Sequence, residues 1–183
     1  MHINSKNHYL LMVEHISYEV LKTFPSFEIR HYPLLIVASV NIVDENTSFR
    51  KLFNYISGDN RTREKIAMTA PVMTSEKIPM TSPVISNKKN MMFVLPSYYT
   101  ENTVPQPTDP DIIIEIIASR TVAILRFRGN TKKDSINKQK SLLLGLLKKE
   151  HYKSSGESFL MRYNSPFMPG FFRRNEIGIT VIE

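Results

Sequence analysis

The chain contains no cysteine. Disulfides, thiolate zinc sites, iron–sulfur clusters and cysteine nucleophiles are therefore excluded, and several enzyme classes with them. Glycine is scarce, at 6 of 183 residues, and forms no glycine-rich phosphate loop. The five histidines, His2, His8, His15, His31 and His151, show neither H-x-x-x-H nor H-E-x-x-H spacing. Asp109 and Asp111 flank Pro110 in a proline-marked connection and read as structural rather than as an acid–base pair. No nucleophile, base and orienting group stand in recognisable company, so no enzyme activity is expected. Long apolar runs are missing too. The N-terminal run Tyr9-Leu10-Leu11-Met12-Val13 is shorter than a signal-peptide core and far shorter than a membrane span. The expectation is a cytoplasmic protein without membrane insertion.

What is present describes an ordinary folded chain. At 21.2 kDa, with 42% hydrophobic and 22% charged residues, it has the length and apolar content for one core. We expect an N-terminal extension over 1–16 and a single domain over 17–183, with halves at about 17–98 and 111–183. The formal charge of +7 would attract acidic partners. The basic residues, however, are scattered through Arg61-Arg63-Lys65, Lys132-Lys133, Lys138-Lys140, Lys148-Lys149 and Arg173-Arg174, and no nucleic-acid motif accompanies them. That is the pattern of a solvated surface. No nucleic-acid partner is expected, and a monomer is favoured.

Residues 18–24, 27–32 and 34–42 are rich in β-branched and aromatic side chains, broken by Pro25 and Pro33. They predict strands in an antiparallel meander. A hydroxyl in Thr47-Ser48-Phe49 can cap a helix whose apolar residues Phe49, Leu52, Phe53 and Ile56 recur at i, i+3, i+4 and i+7, with Gly58 as its stop. An echo follows: Lys65-Ile66-Ala67-Met68-Thr69-Ala70-Pro71-Val72 returns as Lys77-Ile78-Pro79-Met80-Thr81-Ser82-Pro83-Val84. It predicts two extended segments meeting at a turn around Thr74-Ser75-Glu76. After a buried strand at 91–95 and a proline-rich linker, the second half opens with paired strands at 111–117 and 121–127, closed by Gly129. A helix over 131–152, opened by Thr131 with Asp134, turns Ile136, Leu143, Leu144 and Leu147 inward. Strands near 158–163 and 176–182 complete the chain. Each half thus reads strand, strand, helix, strand, strand. The fold class is α+β, an antiparallel sheet of two similar halves curling toward a barrel, with helices on one side.

Alternation in the strand 27–32 puts His31 with Phe27 and Ile29 on the apolar side. It is either a core histidine bonded to backbone groups or an imidazole aimed into an apolar cleft, suited to heme iron. Nine methionines and ten phenylalanines make an adaptable interior that can take a flat aromatic ligand, or serve as plain core. The segment Pro166-Phe167-Met168-Pro169-Gly170-Phe171-Phe172 places four large apolar side chains in a loop, where they either cover a ligand or fold back on the core.

Taken in order, Tyr18-Glu19-Val20-Leu21, Phe27-Glu28-Ile29-Arg30-His31-Tyr32, Phe49 through Gly58, Lys65 through Val72, Tyr163-Asn164-Ser165-Pro166 and Arg173-Arg174-Asn175-Glu176 resemble the SOUL heme-binding family. The resemblance runs from about residue 17 to the C-terminus. It implies a distorted antiparallel β-barrel of two pseudo-symmetric halves with two long α-helices packed outside. It also implies binding of heme or free porphyrin between the first helix, at Phe49, Leu52 and Phe53, and the loop at Phe167, Met168 and Phe171. His31 occupies the position proposed in some members as an axial iron ligand. Asn54 and Met168 stand where relatives can carry propionate-binding lysines. The expected function is non-covalent tetrapyrrole binding as a carrier or buffer. The alternative is an effector-sensing or protein-interaction module for another small hydrophobic ligand.

Overall fold

The computed structural model describes residues 14–62, 77–164 and 168–182. The first copy of the echo, its turn and Phe167 lie outside the described residues. In chain order the elements are β1 (Glu14–His15), β2 (Glu19–Thr23), β3 (Glu28–Tyr32), β4 (Leu35–Asn41), α1 (Glu45–Ser57), β5 (Asn60–Arg61), β6 (Thr81–Ser82), β7 (Val84–Ser86), β8 (Asn90–Val94), β9 (Gln106–Pro107), β10 (Ile112–Ile117), β11 (Arg120–Arg128), α2 (Lys133–Lys149), β12 (Lys153–Arg162), a 3-10 turn at Gly170–Phe172, and β13 (Arg174–Ile182).

Nine strands form one antiparallel sheet in the order β10-β4-β8-β7-β12-β13-β11-β3-β2. The order is close to palindromic. If β7 corresponds to β12, then β8 corresponds to β13, β4 to β11 and β10 to β3. The α+β, two-half architecture is therefore present, with one exchange that chain order conceals: β3 pairs with β11 of the second half, while β10 pairs with β4 of the first. This corrects two expectations. Residues 34–42 do not continue a meander from β3, and β10 and β11 are not a pair. Pro33 interrupts the chain between β3 and β4, and each strand then finds its partner in the opposite half.

Side-chain alternation sorts the two faces of the sheet. On the outer face, α1 buries Leu52, Tyr55 and Ile56 against Ile36, Ala38 and Val40 of β4 and Met91 and Phe93 of β8. Correspondingly, α2 buries Leu143 and Leu147 against Ala123, Leu125, Ile177, Ile179 and Leu160. The inner face packs on itself, through Val37, Ile85, Met92, Val94, Val122, Ile124, Phe159 and Met161. Gly178 is required here. A Cβ at this position would lie 2.6 Å from the Phe159 ring, so the missing side chain is what lets that ring fill the interior.

Both helix starts differ from expectation. α1 begins earlier, capped by Asp44, whose carboxylate accepts the Thr47 N–H at 2.9 Å. A carboxylate three residues ahead of that N–H reaches it, so the Thr47 and Ser48 hydroxyls are not needed as caps. Gly58 does end the helix, at φ 128°. α2 begins at Lys133 with Lys132 as N-cap and no side-chain cap bond. Thr131 is displaced from that role because Asn130 Oδ1 already accepts the Lys132 N–H at 3.1 Å and shapes the approach.

The inner layer is ionic at one end. Arg30 and Glu176, both fully buried, pair at 2.9 Å, with a second bond at 3.2 Å. Tyr163 Oη donates to Glu176 at 2.6 Å, and Arg126 and Arg174 reach it at 3.1 and 2.8 Å. Glu28 accepts from Arg30 and Arg126. Burial raises the Glu176 pKa, but the bonds from Arg30, Arg174 and Tyr163 outweigh it and hold the carboxyl below its ordinary value. Burial pushes Tyr32 up to about 12 despite Arg30, so the phenol stays protonated and accepts from Arg30 at 3.1 Å.

Two stability predictions follow from this interior. Glu176→Gln should cost about 3–5 kcal/mol in urea unfolding at pH 7, because it strands a buried guanidinium. A depressed folded pKa gives stability that is present above the unfolded value, near 4.5, and lost as pH falls through the lower folded value. The variant should therefore show a flatter acid limb below about pH 4.5 than the parent. Gly178→Ala should cost roughly 1–3 kcal/mol by overpacking against Phe159, read as a lower midpoint with an unchanged m-value.

Candidate functional site: a trough between the helices

α1 packs on β4 and β8, and α2 on β11, β12 and β13. The outer face over the β7–β12 seam is left between them. That seam is only three residue pairs long, Val84 with Arg162, Ile85 with Met161 and Ser86 with Leu160. Two cavities lie along it. One, of about 170 Å³, is lined by Glu45, Asn46 and Phe49 of α1, Val84 and Met91 beneath, and Asn164, Arg173 and Asn175 around the β12–β13 connection. The other, of about 700 Å³, is lined by Lys133, Ile136, Asn137 and Lys140 of α2, Ser86, Asn87 and Lys88 at the β7–β8 turn, and Leu160 and Ile177 beneath. Both include Glu45, Thr131 and Arg162. The Arg162–Glu45 ion pair, at 2.6 Å, stands where they meet.

Phe49 is the predicted site residue that reaches this trough. Its ring lies edge-on to Phe93 at 5.2 Å and stacks at 6.2 Å on Phe53, which is 46% exposed one turn away. Leu52 points the other way, fully buried in the core beneath α1. Met168 and Phe171, in the segment leading to β13, are 36% and 69% exposed, and the Phe172 ring lies tilted against Phe171 with centroids 4.4 Å apart. Arg173 Nε donates to the Met168 carbonyl at 2.7 Å and ties that segment to the cavity rim. Phe167 lies outside the described residues.

His31 is placed elsewhere. It is half-buried on the same outer face as Ile29. Its strand is separated from β12 by β13 and β11, three strand spacings or about 14 Å across a flat sheet. α2 packs over the strands in between. Neither cavity is lined by a histidine. Conversely, sequence reasoning missed Glu45, Arg162 and Arg173. Glu45 and Arg162 lie 117 residues apart, and only the register of β12 against β7 turns Arg162 toward α1. Sequence reasoning also missed the α2 lining: Lys133 and Lys140 read as solvated surface and Ile136 as core, whereas with Asn137 they line the larger cavity.

A family model described as SOUL heme-binding protein matches residues 13–180. The chain belongs to the SOUL heme-binding protein family. Heme-binding protein 2 of Homo sapiens is 34% identical over 149 residues, 77% of this chain and 71% of that protein. The Mus musculus protein of the same name is 33% identical over 159 residues, 83% and 76% respectively. Among solved structures, the C-terminal domain of EcmrR superposes on this SOUL chain with a TM-score of 0.59 at 14% identity, covering 91% of this chain and 98% of that one. A hydrolase from Listeria innocua does so at 0.57 and 8%, covering 88% and 94%. At those identities the likeness is one of fold.

The SOUL trough is lined by more cations than carboxylates, and Arg162 among them is paired with Glu45. Glu45 is the one carboxylate among the lining residues of the two cavities, and its side chain is 64% exposed. No group of three or more potential ligands among the described residues could hold a bare metal ion, and no helix of the described residues is long and apolar enough to cross a membrane. Because the Arg162–Glu45 pair is solvent-screened, Glu45→Gln should change stability by less than about 1 kcal/mol, measured as a thermal midpoint within a few degrees of the parent.

Proposed function

We propose that this chain binds heme or another tetrapyrrole non-covalently, as a carrier or buffer rather than an enzyme, in the cleft between α1 and the segment before β13. The observation that carries the reading is the company Phe49 keeps. It is an aromatic wall over an apolar floor of Val84 and Met91, with Arg162 and Arg173 at the rim, on a chain of a heme-binding family. A flat dianion matches those features. Its hydrophobic face meets Phe49 and Phe53, its propionates meet guanidinium groups, and the exposed Met168 and Phe171 flank the other side. The cavity of about 170 Å³ is smaller than the roughly 300–1,000 Å³ of a closed ligand pocket. It receives one edge of the macrocycle, and the remainder lies under the exposed apolar segment.

Burial supplies the affinity in this reading. Covering roughly 400 Å² of porphyrin at about 25 cal/mol per Å² offers on the order of 10 kcal/mol, from which association removes several. Micromolar or tighter binding remains. His31, beyond α2, makes no bond to the iron here, so the iron state does not decide whether the ring binds.

Hemin titrated into the pure protein should give a saturable Soret shift at micromolar concentrations. Absence of saturation would end the proposal. Phe49→Ala with Arg173→Gln should weaken that response by about tenfold or more, from lost ring contact and charge. His31→Ala should leave the Soret maximum where it is in the parent, and a displaced maximum would return His31 to the iron.

A further inference from the structure

The two cavities of the trough are counterparts. The first is built from the N-terminal half of α1 and the β12–β13 connection, and the second from the N-terminal half of α2 and the β7–β8 turn. Under the correspondence that relates β7 to β12, β8 to β13 and α1 to α2, these are the same place in the two halves. Their linings have diverged. Where the first presents Phe49 to its ligand, the second presents Lys133 and Lys140 on one face of α2, one turn either side of Ile136 and Asn137, and faces them with Lys88. None of these three lysines is paired with a carboxylate among the described residues. At about 700 Å³ the second cavity is also much the larger of the two.

We propose that the α2 cavity is a second, independent binding site, for an organic anion with an apolar body. Three ammonium groups converging on one cleft repel one another, and an acidic ligand relieves that repulsion while gaining ion pairs. The floor, formed by Ile42, Ile136, Leu160 and Ile177, gives the ligand's apolar part a surface to cover. Ser86, Asn87, Asn137 and Ser158 offer hydrogen bonds around it. Arg162, held by Glu45 at the boundary, keeps the two sites apart. The inference does not rest on the tetrapyrrole reading, since the second cavity uses other side chains and would bind its ligand whether or not the first takes a porphyrin.

The test uses 8-anilinonaphthalene-1-sulfonate, an aromatic monoanion, titrated into the intact protein by fluorescence. The parent should bind it saturably. Lys88→Gln, Lys133→Gln and Lys140→Gln together should weaken binding by about tenfold or more, and raising the salt from about 0.05 M to about 0.5 M should weaken the parent but not the triple variant. All three side chains are exposed or half-buried, so the variant should keep the parent's circular dichroism and thermal midpoint. Its hemin response should also persist, which separates failure of this site from failure of the other. Equal affinity in parent and triple variant would overturn the proposal. So would dye binding that is lost in Phe49→Ala instead, or a hemin response that disappears together with the dye's in the triple variant.

Discussion

A single sheet with two apolar faces must cover both, and this constraint organises the molecule. The outer face is covered by α1 and α2, one for each half. The inner face is covered by the sheet's own curl, which brings Val37 and Ile85 against Val122, Ile124, Phe159 and Met161. Helices near 10 Å across cannot blanket nine strands about 4.8 Å apart. A strip of the outer face between them is left uncovered over β7 and β12, and the trough occupies that strip. It is thus a consequence of how the halves join rather than an indentation added to a finished fold.

Exchange of β3 and β10 between the halves makes the join permanent. Each half lends one strand to the other, β3 to β11 and β10 to β4, so neither can be withdrawn without opening a sheet edge. The Arg30–Glu176 pair sits on this exchange, reaching from the swapped strand β3 to β13 across β11. With both groups fully buried, its net energy is small, but either partner alone would be costly. Tyr163, Arg126 and Arg174 complete the bonding of the Glu176 carboxylate inside the sheet, and Tyr32 accepts from Arg30. The consequence is specificity of register, because a slip of one residue would turn Arg30 or Glu176 to the opposite face.

The trough inherits the symmetry of the halves but not a single chemistry. Near α1 it is aromatic, with guanidinium groups at the rim. Near α2 it is lined by ammonium groups around an aliphatic floor. The Arg162–Glu45 pair divides the two, so one architecture, repeated in the two halves, carries two different linings.

Much of this was legible along the chain. Strand positions, both helices, the Gly58 stop and the two-half pattern follow from local periodicity and breakers, which act within a few residues. The motifs of the family also name Phe49 and the apolar segment before the last strand. Tertiary structure alone decided the rest. Whether β3 pairs with β4 or β11 depends on which apolar faces meet, and no local signal carries that. The same holds for His31, whose alternation correctly gave an apolar face but not which helix covers it. Arg162 and Glu45 are far apart in sequence and become partners only through the register of β12 on β7. Local chemistry fixed the elements of this protein, and long-range pairing, which is settled by the burial of whole faces, fixed where its cavities lie and what lines them.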